Sequence, residues 1–276
     1  MSRRLKCLLA GALVSLHLWA GAAQAGGNCD ADPVSPLQLA AAAETAVRVA
    51  AALDQADAPV ALVSRVGADL SRHGLVYSHA GFAVRDHPRG RWSVVHLLNE
   101  CRSTHSGLYV QGLVNFFSDD LVNQDARITW LEPDLARRLA SHLAGPSATT
   151  LHHPRYNVIA RPGSRDYQNS TLWMVEVLAT QLADYPGPVD RDAAIAHAEA
   201  MGFEPDRIRI AYTRRVLGGL FSTNAVFTDH PVATRVSGSY PVATVRSILA
   251  WLASTGNITS ELEWWAGVLQ HAGGPG

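Results

Sequence analysis

Between residues 75 and 98 the chain reads LVYSHAGFAVR, then DHPRG, then RWSVVHLL: two stretches of alternating character joined by a turn built on Pro88 and Gly90. Alternation sends successive side chains to opposite faces, and so short a connection pairs the stretches antiparallel. The chain is therefore predicted to hold a β-hairpin. It carries His79 on one strand and His96 on the next, and the two can lie on one face as neighbours. Ala80 and Gly81 follow His79 and leave room for another backbone or a ligand.

The remaining segments supply partners for this hairpin. Residues 35–55 form an Ala, Leu and Val-rich stretch with Ser35 as N-cap, which predicts an amphipathic helix. Strands are expected at 58–66 and 126–130, and helices at 106–117, 133–143, 169–183 and from 190 or 191 to 201. Residues 156–160 read as extended, 232–236 as a strand, and 242–252 as helical or extended. With 47% hydrophobic residues the chain can bury a real core. The expectation is one α+β domain over 26–276, with the region beyond about 186 as an elaboration of it.

The first 25 residues read as an export signal: Arg3, Arg4 and Lys6, an apolar stretch over 7–22, then Ala23-Gln24-Ala25. The mature chain would be periplasmic or secreted. Removing the three basic residues takes the formal net charge from −1 to −4, which argues against nucleic acid as a partner. Lys6 is the sole lysine, so the exported chain could have no Schiff-base lysine, no lysine base and no Walker-type phosphate loop. Arg48 interrupts the apolar run over 37–53, leaving no membrane span in the mature chain. Two thiols would remain in an oxidising compartment, and a Cys29 to Cys101 disulfide is expected. Lipidation of Cys29 is the competing reading, but Ala25-Gly26-Gly27 lacks the large apolar residue of an attachment box.

Three places can carry chemistry: His79, His96, and Asn169-Ser170 at the start of a predicted helix. A strand histidine is more often structural than catalytic, and Asn-Ser at a helix start is first a capping signature. Together they say more, because a helix N-terminus directed at two imidazoles would present the Ser170 hydroxyl in a positive potential. Asp119-Asp120 reads as a cap before a cation site. His152-His153 would diverge on an extended backbone, so no metal or other cofactor is expected. Trp251, Trp264 and Trp265 read as core before a carbohydrate-stacking face.

These residues resemble the circularly permuted NlpC/P60 branch of the papain-like superfamily, the lecithin retinol acyltransferase-like proteins, over residues 75–183. SHAGF (78–82), FFSDD (116–120) and YQNSTLW (167–173) are further similar to domain of unknown function 2145, a family of exported bacterial proteins. The resemblance implies a papain-like fold, an antiparallel sheet packed on helices. It also implies Ser170 at the nucleophile position, His79 as general base and His96 as its orienter, with Tyr77, Tyr156 and Asn169 as binding residues. Active relatives have cysteine where this chain has Ser170, and a serine hydroxyl is far less ionised than a thiol. Two functions follow as expectations: hydrolysis or acyl transfer at an amide or ester bond, or a non-catalytic binding protein that keeps the groove. Either would meet a peptide, glycan or lipid of the cell envelope.

Overall fold

The structure is a computed structural model that describes residues 33–101, 103–119, 121–183, 190–213 and 224–273. Its frame is a seven-stranded antiparallel sheet. The strands are β1 (Val60–Arg65), β2 (His79–His87), β3 (Gly90–Asn99), β4 (Ser106–Gln111), β5 (Ala126–Leu131), β8 (Ile258–Trp265) and β9 (Val268–His271). They lie in the order β4-β3-β2-β1-β5-β8-β9, and every pairing is antiparallel. A separate ribbon pairs β6 (Asp206–Arg209) with β7 (Ser239–Val242).

Pleat alternation divides the core in two. Ala61, Val63, Ala83, Val94 and Ile128 face α1 (Pro36–Gln55) and α2 (Leu113–Phe117). Leu62, Ala80, Phe82, Val95 and Leu97 face a second helical layer: α3 (Pro133–Ala144), α4 (Ser170–Leu182), α5 (Arg191–Ala200) and α7 (Val245–Ser254). Burying each such aliphatic or aromatic side chain contributes roughly 1.5–3 kcal/mol. The hairpin turn falls at Pro88 and Arg89, with Gly90 at φ 132°, a backbone region that a β-carbon disfavours. Ser35 caps α1 in a capping box with Gln38.

Three segments differ from the sequence expectation. Residues 106–117 were expected to be helical. Only Leu113–Phe117 is, because Ser106–Gln111 pairs with β3 along its whole length. Cross-strand pairing here outweighs helical periodicity, and it brings Gln111 beside His96. Residues 232–236 were expected as a strand but form α6 (Val232–Ser237), with Pro231 as N-cap residue and Gly238 ending it at φ 70°. Residues 156–160 hold only an isolated bridge, Tyr156 to Gln168. After residue 186, β8 and β9 extend the sheet beyond β5, and α5 packs on α4.

The expected signal segment and Cys29 lie outside the described residues. No disulfide forms among the described residues, where Cys101 is half-buried in the turn after β3. No helix among them is long and apolar enough to cross a membrane.

Candidate functional site

Register builds the site. Arg65 of β1 stands directly opposite His79 of β2, and His96 of β3 lies one diagonal step away, all turned toward α2. The His79 Nε2 to His96 Nδ1 distance is 2.9 Å, and His96 Nε2 lies 3.1 Å from Gln111 Oε1. An amide oxygen only accepts, so His96 Nε2 carries its hydrogen and Nδ1 accepts one from His79 Nε2. His79 Nδ1 is then left with a lone pair and no hydrogen-bond partner among the described residues. Gly81 has a specific task. A β-carbon there would lie 2.6 Å from Val94 Cγ1 and 3.0 Å from His96 Cβ, so glycine admits the imidazole of its cross-strand neighbour.

The Phe116 ring lies against both imidazoles, at centroid distances of 5.9 Å to His79 and 5.2 Å to His96. The Arg65 guanidinium sits over the same ring, 4.6 Å from its centroid. It donates to the Phe116 carbonyl and pairs with Asp119 at 2.5 Å. Asp119 is therefore an ion-pair partner for a buried arginine rather than a cap, while Asp120 lies outside the described residues. Burial, then the Arg65 charge and the neighbouring His96, holds His79 well below the usual histidine range. Burial and Arg65 push His96 down to about 3, against an opposing contribution from its bond to Gln111. Both imidazoles are neutral at neutral pH.

Ser170 is the first residue of α4, capped by Asn169. Asn169 Oδ1 accepts from Leu172 N at 2.8 Å and Thr171 Oγ1 at 3.1 Å, and its Nδ2 donates to the Val158 carbonyl at 3.1 Å. Those bonds fix the helix start. Trp173, one turn on, packs edge-on against Phe82 at 5.7 Å, so the body of α4 covers the face of β2 that His79 turns away from. Ser170 Oγ makes no hydrogen bond to either imidazole in this conformation. Neither Ser170 nor His79 is among the residues that line the cavity of about 580 Å³ beside the helix start, although their sequence neighbours are. Tyr77 and Ser78, which lead into His79, line it together with Asn169 and Thr171, which flank Ser170.

The other sequence candidates fall elsewhere. Tyr77 Oη donates to Glu263 at 3.0 Å, and burial raises its pKa. Tyr156 is buried, its hydroxyl pushed up to about 12. Among the described residues no three metal-ligating side chains converge. His152 is engaged with Ser106 Oγ at 3.1 Å, and His153 Nδ1 accepts from the Arg155 backbone at 3.2 Å. Trp251 is core, its Nε1 donating to the Met201 carbonyl, whereas Trp265 is partly exposed. Sequence reading missed Arg65, Gln111 and Phe116. The alternation of 60–65 could have placed Arg65 on the inner face, but only the strand at 106–111 puts Gln111 within reach.

These features define an α+β protein with a buried, neutral imidazole pair at one end of an antiparallel sheet. Residues 52–252 match the family described as an uncharacterised protein conserved in bacteria (DUF2145), and the chain belongs to that family. No curated protein and no solved structure matches it.

Proposed function

We propose that this chain is an exported, papain-like hydrolase or acyltransferase of the permuted NlpC/P60 arrangement, acting on an amide or ester bond. The carrying observation is the series His79, His96, Gln111, bonded end to end with one lone pair left over, at His79 Nδ1. That lone pair can accept a proton, which is what a general base needs. In the reaction the Ser170 hydroxyl proton passes to His79 Nδ1 as Oγ attacks the carbonyl carbon. The amide hydrogens at the start of α4 stabilise the negative charge that develops on oxygen. The imidazolium then gives its proton to the departing amine or alcohol, leaving an acyl-serine that water or an acceptor alcohol resolves. His96 fixes the tautomer, and Arg65 disfavours a lasting imidazolium. Because α4 packs on the sheet face opposite the imidazoles, this reaction requires substrate binding to carry the Ser170 hydroxyl to His79 Nδ1 past the start of β2.

An activated-serine probe such as a fluorophosphonate tests this. The protein should be labelled at Ser170, and Ser170→Ala should abolish labelling. An unlabelled protein, or labelling that survives the substitution, contradicts the proposal.

The second reading is a non-catalytic envelope protein that keeps the groove for a ligand. It is favoured by the absence of a hydrogen bond between Ser170 Oγ and either imidazole. Inertness to the probe, with strong iodoacetamide reactivity appearing in Ser170→Cys, would mark a retired cysteine hydrolase.

A further inference from the structure

The cavity beside the helix start has a chemistry of its own. Its walls are chiefly apolar: Leu70, Leu75, Ile208, Ile210, Val242 and Val245 come from three separate segments and face one space of about 580 Å³, the size of a small-molecule site. Among the described residues the charged ones lining it are Arg72 and Arg209, both exposed, and no carboxylate lines it. Neither arginine is paired with a carboxylate among the described residues. Arg72 Nε reaches only the neighbouring His73, at 3.2 Å. The nearby Asp206 is already neutralised by Arg246 at 2.8 Å.

An apolar interior with an unbalanced positive rim selects an occupant with an apolar body and one anionic end. We propose that this cavity binds a single-chain fatty carboxylate, with the hydrocarbon between β6, β7 and the loop at 70–78 and the carboxylate toward Arg72 and Arg209. The inference does not depend on Ser170 being a nucleophile; it holds for either reading of the function.

Displacement of a dansyl-labelled fatty acid from delipidated protein, with all ligands below their micellar concentration, tests it. Laurate should bind saturably at one site per chain, and at least about tenfold more tightly than dodecyl maltoside or dodecyltrimethylammonium. Arg72→Gln with Arg209→Gln should weaken laurate about tenfold and leave the neutral detergent unchanged, as two exposed charges allow. Leu70→Glu, at the partly exposed edge of the cavity, should abolish binding without lowering the melting temperature. Equal affinity for the neutral and anionic heads, or no saturable binding of laurate, overturns the proposal. Ser170→Ala should bind laurate as the parent does, so a failed labelling experiment and a failed binding experiment are told apart.

Discussion

Two buried polar clusters occupy opposite faces of the same sheet, and they are completed differently. Arg127 of β5 is fully buried, with Nε and Nη2 on Glu261 at 3.0 and 2.6 Å and Nη1 at 3.6 Å from Glu263. Thr129 adds a bond to Glu261 at 2.7 Å, and Tyr77 one to Glu263. Charge meets opposite charge there, and the cluster ties β8, from the end of the chain, to β5 in the middle. The imidazole cluster is neutral and stops one bond short, at His79 Nδ1. A saturated network orders a fold, whereas an unfilled lone pair can take up a proton.

Substitutions should separate the two clusters. The largest effect is expected from Arg127→Met. It strands two carboxylates and should destabilise the protein by about 3–5 kcal/mol in denaturant titration, without altering probe labelling per folded molecule. Acid comes next. Both imidazoles take up protons less readily folded than unfolded, so below about pH 6.5 the unfolded chain carries more protons and stability falls as pH falls. His96 alone should contribute roughly 3 kcal/mol of that loss between pH 6.5 and 4. The fall in melting temperature over this range should be visibly shallower in His96→Gln.

Smaller effects probe the geometry. Gly81→Ala should cost about 1–3 kcal/mol by overpacking against Val94 and His96, and it should depress labelling more than stability by displacing the orienting ring. Gln111→Leu leaves a buried imidazole hydrogen unpaired and should cost about 1–3 kcal/mol. It should also shift the His96 tautomer seen by nitrogen-15 NMR.

The hairpin, the Ser35 cap and the Asn169 helix start were legible in the sequence because each rests on local chemistry: alternation, a turn dipeptide, a side chain reaching its own backbone. His79 and His96 were legible as a pair for the same reason, since a short turn fixes strand pairing. Arg65, Asp119 and Gln111 were not. Their contacts join positions far apart along the chain, and the 106–111 segment reads as helix until β3 is there to pair with it. The Arg127 cluster was hidden likewise: its carboxylates lie more than a hundred residues downstream, in a strand whose partner no local pattern announces.

The rate of fluorophosphonate labelling as a function of pH, in the parent and in His79→Ala, tests the central claim most directly. A base kept neutral by burial and by Arg65 predicts a rate that stays level from pH 8 through 6.5 and falls only in more acid solution. His79→Ala should be slower by a factor on the order of 100 or more throughout. A midpoint at the ordinary histidine value near 6.5, or a His79→Ala protein labelled as fast as its parent, would contradict the account.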